Sequence, residues 1–263
     1  MTNREVMVIG GGIAGIQASL DLATRGYKVY LIERSPSIGG RMAQLDKTFP
    51  TMDCSMCILA PKMIDCSHHH NVQLLSYCEV KAVKGSSGDF VVTVLRKPRY
   101  VDETKCTGCG ICAEHCPVEV PNEFDEQLGT RKAIYMPFPQ AVPRAMAIDK
   151  NNCIDCGLCI KMCQAGAVDL KQQPREEDFH VGAIVVATGF DVFDASRIPT
   201  YGYGRYKNVI TSLELERLLC ASGPTGGHLI RPSEGKIPRK IAFIQCVGSR
   251  DRRFGTTYCS SIC

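Results

Sequence analysis

The chain has 263 residues, 44% of them hydrophobic, a net charge of +4 and sixteen cysteines. That length allows one large domain or two small ones with a real core. No apolar stretch approaches the roughly 18 residues of a membrane span, and the mild, unclustered charge argues neither for nucleic acid nor for a membrane surface, so neither is expected as partner. With no signal-peptide pattern in the first twenty residues, so many cysteines point to a reducing, cytoplasmic setting and to metal or redox use.

In chain order, residues 5–10 read as a buried strand closed by glycine. Gly10, Gly12 and Gly15 then spell G-x-G-x-x-G at the head of a helical pattern from residue 13 to about 24. Gly26 stops the helix, a second apolar strand covers 28–32, and Glu33 closes it, 23 residues after Gly10. This is a dinucleotide fingerprint in context. The glycines allow a tight turn, close approach of the pyrophosphate and helix–strand packing; the helix N-terminus holds phosphate, and Glu33 binds ribose hydroxyls. A carboxylate there disfavours a 2′-phosphate, and hence NADP.

Two later elements separate FAD from NAD. Ser37-Ile-Gly-Gly-Arg41 resembles the Gly-Gly-Arg element of flavoproteins with two dinucleotide-binding domains, and Gly182-Ala-Ile-Val-Val-Ala-Thr-Gly189 resembles the strand that completes their FAD site. The resemblance implies FAD on Gly10, Gly12, Gly15, Glu33, Gly40, Arg41, Thr188 and Gly189. Short strands are expected at 72–75, 79–83 and 90–95.

Cys106, Cys109, Cys112 and Cys116 follow the spacing C-x2-C-x2-C-x3-C and precede Pro117; Cys153, Cys156, Cys159 and Cys163 repeat it, with Gln164 in place of the proline. Three cysteines at this spacing wrap one [4Fe–4S] cube, and the fourth reaches to the neighbouring cluster in two-cluster ferredoxins. The expected sets are Cys106, Cys109, Cys112 and Cys163 for one cluster, and Cys153, Cys156, Cys159 and Cys116 for the other. Zinc would gain nothing from a third close cysteine. The stretch 121–143 between the runs carries four of the fourteen prolines and reads as an ordered loop decorating the ferredoxin pair.

The expected fold class is therefore α/β: a Rossmann-type FAD-binding domain interrupted by an α+β two-cluster ferredoxin insert. The boundaries are 1–96 for the first part of the flavin domain, 97–174 for the insert, 175–239 for the second part and a connector, and 240–263 for the start of a second nucleotide-binding domain, with a strand at 240–245.

Cys54-Ser-Met-Cys57 admits three readings: ligands of a further cluster, ranked first, then buried structural thiols, then a redox dithiol. Cys66, Cys78, Cys220 and Cys246 read as small buried hydrophobes. His68, His69 and His70 read as a solvated turn, because adjacent histidines point apart. Lys62 is unremarkable, and no acid–base residue is nominated.

Taken together, these features resemble those of the heterodisulfide reductase family, in its flavin-bearing A component. The resemblance rests on Gly39-Gly-Arg-Met-Ala-Gln-Leu-Asp-Lys-Thr-Phe-Pro50, Cys54-Ser-Met-Cys57, Arg99-Tyr-Val-Asp102, Val120-Pro-Asn-Glu-Phe124, Pro137-Phe-Pro-Gln-Ala-Val-Pro143 and Phe243-Ile-Gln-Cys-Val-Gly-Ser-Arg-Asp251. It implies FAD on a thioredoxin-reductase-like fold, two [4Fe–4S] clusters and a place in a larger complex. The implied partners are other reductase subunits and ferredoxin, hydrogenase or dehydrogenase donors, and the flavin can split electron pairs between two branches. Many archaeal members begin with an additional domain. The end at Cys263 is read as a truncation, explained by an in-frame UGA codon translated as selenocysteine. Alternatives are an NAD(P)H-dependent oxidoreductase like the glutamate synthase small subunit, whose clusters precede its flavin domain, and a non-catalytic ferredoxin docking module.

Overall fold

A computed structural model describes residues 4–254, 256–259 and 261. The chain forms two compact units, Met1–Gly189 and Phe190–Cys263.

The first unit opens with strand β1 (Glu5–Ile9), helix α1 (Ile13–Thr24) and strand β2 (Lys28–Glu33). A 3-10 turn (Gly40–Gln44), a small hairpin of β3 (Lys47–Thr48) and β4 (Asp53–Cys54), and helix α2 (Ser55–His68) follow. Strands β5 (Val72–Ser76), β6 (Cys78–Ser86) and β7 (Asp89–Arg96) complete the stretch before the insert. Within the insert lie α3 (Ile111–Glu114), β8 (Glu119–Pro121), β9 (Thr130–Lys132), β10 (Ile134–Tyr135), β11 (Ala147–Ile148) and α4 (Leu158–Met162). Strands β12 (Arg175–Val181) and β13 (Ala183–Val186) close the unit.

The central sheet is parallel, in the order β13-β1-β2-β5. Its middle strands are buried on both faces, which is why they read as continuous apolar runs. Alternate residues serve different layers. Val8, Val29 and Leu31 pack with Ile16 and Ala23 of α1 and Leu59 and Met63 of α2. Met7, Tyr30 and Ile32 pack instead on Val92, Val94 and Val181 of a three-stranded antiparallel sheet, ordered β12-β7-β6. Every strand expected before the insert is present, with β6 and β7 each longer than expected.

The insert leaves and re-enters through facing residues, since Arg96 of β7 lies opposite Arg175 of β12. Just inside, the buried Arg99 donates to the carbonyl of Pro36 at 2.7 Å and to Ser76 Oγ at 2.8 Å. The insert has its own core of Val101, Ile134, Met146, Ile148 and Ala167, ringed by cysteines of both runs.

The 121–143 stretch is ordered and, as expected, lines the ferredoxin pair through Ile134 and Met136, but it does more. It also packs on the parallel-sheet core: Phe124 stacks on Phe138 (centroids 4.9 Å apart), and Phe138 and Ala141 join Ile38 and Met63. The cause is apolar burial, because the rings find a bed of aliphatic side chains over α2.

In the second unit, helix α5 (Ser212–Leu219) starts at a capping box of Thr211 and Glu214. The strand expected at 240–245 is not formed, and this unit holds no strand among the described residues. A strand is stable only as one rung of a ladder, and with no partner Ile241, Phe243 and Ile244 are each more than half exposed. No helix among the described residues is long and apolar enough to cross a membrane.

Candidate cofactor sites

The three sequence elements expected to hold a flavin meet at the C-terminal end of β1. Gly10 takes a left-handed φ of +110°, and a Cβ there would lie 2.3 Å from the carbonyl oxygen of Ala187, at the end of β13. At Gly15 a Cβ would fall 1.8 Å from the carbonyl of Gly10, so only glycine lets α1 close on the turn. Gly12, the residue capping α1, pairs with Gly39 as a parallel bridge, and Gly39 N–H donates to the Gly11 carbonyl at 2.7 Å. Gly40 lies so near that its Cβ would be 2.9 Å from Gly12 Cα.

Gly12 itself is different. Its Cβ would meet only Gly40 Cα, at 4.0 Å. Internal packing does not account for glycine there; an open cradle at a helix N-terminus does, and it fits a pyrophosphate.

Glu33 is buried and its carboxylate is well supplied with donors. Oε2 accepts Gly11 N–H at 2.7 Å, while Oε1 accepts Ser35 N–H at 2.7 Å and Ser35 Oγ–H at 2.6 Å. The side chain thus ties the fingerprint loop to the chain leaving β2. Sequence reasoning misses Gly11, although it stands in a run of three glycines. Its Cβ would clash with Ile38 at 2.6 Å and Glu33 at 2.9 Å.

Arg41 turns toward the insert. Its guanidinium donates to Gln44 Oε1 at 2.9 Å and to Glu126 Oε1 at 3.3 Å, and Gln44 Nε2 donates to Glu126 Oε1 at 3.0 Å and to the Phe124 carbonyl at 2.9 Å. Glu126 and Gln127 reach this position through two left-handed residues in succession, which no sequence pattern announces. Thr188 and Gly189 are exposed just beyond β13. Lys62 donates to Gln17 Oε1 at 2.7 Å, linking α2 to α1.

The two cysteine runs trace the same path. Gly108 and Asp155, the residues before the second cysteine of each run, are both left-handed, as are Gly110 and Gly157 after it. Gly108 is pressed against Arg144, whose Cγ would be 2.9 Å from a Cβ. Asp155 tolerates the conformation in a more open loop, where it pairs with Lys150 and accepts from Cys153 Sγ at 3.8 Å.

The crosswise sets come together. Cys116 shares one pocket with Cys153, Cys156 and Cys159, walled by Ile134, Ile148 and Leu170. The Cys112 thiol is pushed up to about 11 by burial and by the nearby Cys106, Cys109 and Cys163. Among the described residues no three of these side chains converge on a single point as metal ligands. A cubane does not ask for that, since each of its four irons takes its own cysteine. Cys163 Sγ accepts Ala167 N–H at 3.3 Å, a kind of bond that tunes cluster potential.

Elsewhere, Cys54 caps α2 and accepts Cys57 N–H at 3.3 Å. His69 and His70 stack on each other where α2 ends, and Asn71 N–H donates to His69 Nδ1.

Comparison with known proteins agrees with this division. A family described as FAD dependent oxidoreductase matches residues 5–105, and a 4Fe-4S dicluster domain matches 105–168. The chain is 61% identical over 99% of its length to the iron-sulfur A component of CoB–CoM heterodisulfide reductase from Methanocaldococcus jannaschii, covering 40% of that protein. It is 63% identical over 98% of its length to one of the corresponding iron-sulfur components of Methanopyrus kandleri, covering 39%. It is 58% identical over 98% of its length to the A component of the H2:CoB–CoM heterodisulfide,ferredoxin reductase of Methanothermobacter marburgensis, again covering 39%. The chain thus spans about two-fifths of the length of these relatives. Its cofactors are FAD and [4Fe–4S] clusters, and over nearly its whole length the chain is similar to the A components of heterodisulfide reductases.

Proposed function

We propose that the chain is the flavin and iron–sulfur electron-transfer part of a heterodisulfide reductase-type oxidoreductase working in the cytoplasm. Residues 1–96 and 175–239 form the flavin domain and connector, 97–174 the ferredoxin insert, and 240–263 the start of a further nucleotide-binding domain. The observation that carries the reading is the shared core: Phe124, Phe138 and Ala141 of the insert pack with Ile38 and Met63 of the flavin domain. Two redox centres fixed on one core can exchange electrons without a docking step.

Gly10, Gly12 and Gly15 shape the pyrophosphate cradle, Glu33 and Gly40 hold it against the Gly-Gly-Arg turn, and Arg41, Thr188 and Gly189 border it. FAD, when bound, supplies the exchange between electron-pair and single-electron chemistry. Cys106, Cys109, Cys112 and Cys163 hold one cluster; Cys153, Cys156, Cys159 and Cys116 hold the other. Relatives from Methanosarcina are named for ferredoxin and F420H2 as donors. A ferredoxin-class donor and other reductase subunits are the partners proposed here, and splitting of electron pairs at the flavin belongs to the same proposal.

The test is anaerobic preparation of the chain and measurement of flavin and iron. One FAD with about eight irons per chain, both reducible by dithionite in optical and paramagnetic resonance spectra, is the expected result. Iron without flavin overturns the flavin assignment and leaves the docking-module alternative. Bleaching by NADH alone favours the NAD(P)H-dependent alternative.

A further inference from the structure

Outside the flavin and cluster sites, the two thiols Cys54 and Cys57 stand together. Cys54 is the residue capping the fourteen-residue helix α2, and Cys57 lies in its first turn. Cys54 sulfur accepts Cys57 N–H at 3.3 Å. The turn is held by Ser55, whose N–H donates to the Asp46 carbonyl at 3.1 Å and whose hydroxyl donates to the Leu45 carbonyl. Leu45 follows directly on the Gly40–Gln44 turn of the flavin cradle. The pair faces solvent: Cys57 is exposed and Cys54 half-buried. At the tip of the adjoining β3–β4 hairpin, Phe49 and Met52 are exposed as well.

The two sulfurs divide the work of a dithiol. The neighbouring Cys57 side chain, the Cys57 and Met56 amides and the Lys47 charge hold Cys54 below the ordinary thiol range. Cys57 is displaced upward by the same contact and so keeps its proton longer. Cys66 and Cys78 are the contrast, both buried and pushed up to about 11. A [4Fe–4S] cluster at the pair would need two further cysteine ligands. A C-x-x-C with its first sulfur at a helix N-terminus and its second one turn away is built for thiol–disulfide exchange.

We propose that Cys54 and Cys57 form a reversible dithiol–disulfide couple that exchanges with low-molecular-weight disulfides, Cys54 attacking and Cys57 resolving. Cys54 thiolate attacks one sulfur of R–S–S–R; the new Cys54–S–R bond forms as the old S–S bond breaks, and one thiolate leaves. Cys57 gives up its proton and attacks Cys54 sulfur, closing the intramolecular disulfide and releasing the second thiolate. Counted from the dithiol, two electrons and two protons pass from the protein, and R–S–S–R becomes two R–SH.

The test uses the cluster-loaded, flavin-loaded chain, equilibrated anaerobically with reduced and oxidised glutathione at graded ratios. The sample is quenched with iodoacetamide and digested with trypsin. The peptide 48–62 contains these two cysteines and no others. Its unalkylated, two-hydrogen-lighter form should fall from nine-tenths to one-tenth over roughly a hundredfold rise in [GSH]²/[GSSG], as a single two-electron exchange requires. Cys57→Ser should trap glutathione on Cys54, whereas Cys54→Ser, which keeps a good helix cap, should trap none on Cys57. Three outcomes overturn the proposal: a peptide alkylated at every ratio, equal trapping by both variants, or a pair shielded from iodoacetamide with iron well above about eight per chain. Flavin and iron are counted in the same sample, so failure of the couple is distinct from failure of the proposed function.

Discussion

Glu33 offers the sharpest test of the flavin cradle. Its carboxylate accepts Gly11 N–H through one oxygen and both donors of Ser35 through the other. Replacing it with glutamine keeps the shape but leaves one acceptor oxygen and turns an NH2 toward a donor. Either the Gly11 bond or the Ser35 pair is lost, at about 1.5–3 kcal/mol for a charge-assisted bond. The Gly11 bond fixes the loop that presents Gly12, so most of this cost should fall on ligand binding. A loss of about 2 kcal/mol corresponds to roughly thirtyfold weaker FAD binding at 1.4 kcal/mol per decade. The assay is quenching of flavin fluorescence on titration into flavin-depleted chain, with iron measured in parallel. Ser35→Ala is the control; it removes one hydroxyl and leaves the backbone bond, so its effect should be several-fold smaller. Unchanged FAD affinity in E33Q, with iron intact, would refute the reasoning.

Three further outcomes are expected. Cys116→Ser should lower iron from about eight to about four per chain, and peptide mapping should show the surviving thiolate ligation at Cys106, Cys109, Cys112 and Cys163 rather than within the second run. Phe138→Ala removes a ring that stacks on Phe124 and packs against the Gly39 backbone; it should cost about 3–5 kcal/mol of stability, read from a denaturant midpoint, and FAD should be lost before iron. Burial opposes the charge of Asp149, but hydrogen bonds from Asn152 and Arg131 outweigh it and hold the carboxyl below its ordinary range. Because the folded-state value is the lower one, the stabilisation is complete above about pH 5 and is lost as the pH falls through that depressed value. Asp149→Asn should therefore be less stable than the parent at neutral pH, and the gap should close in acid.

The sequence disclosed what depends on local rules. The bounds of α1 follow from Gly12 and Gly26, and those of β1 and β2 from apolar runs that both faces of a parallel sheet bury. The cysteine runs were legible because four ligands at fixed spacing leave little choice of chemistry. What stayed hidden depends on contacts far apart in the chain. Nothing in Asn122–Gln127 says that Glu126 will reach Arg41 and Gln44 across some 80 residues, because two non-glycine residues must adopt left-handed backbone to bring it there. The prolines at 137, 139 and 143 mark an irregular stretch without saying which side its aromatics will choose. At 240–245 the β-rich composition is real, but it yields no strand for want of a ladder to join.

The facing of Arg96 and Arg175 has a consequence for how such a chain could be rebuilt. Joining these two residues by a short turn would make β7 and β12 an ordinary hairpin, so by connectivity the ferredoxin segment is a removable cassette. Its removal would nonetheless take away Phe124, Phe138 and Ala141 and uncover Ile38 and Met63. A swapped-in cassette must therefore bring two rings of its own to that surface; one that brings only cysteines leaves a sticky, flavin-poor scaffold behind.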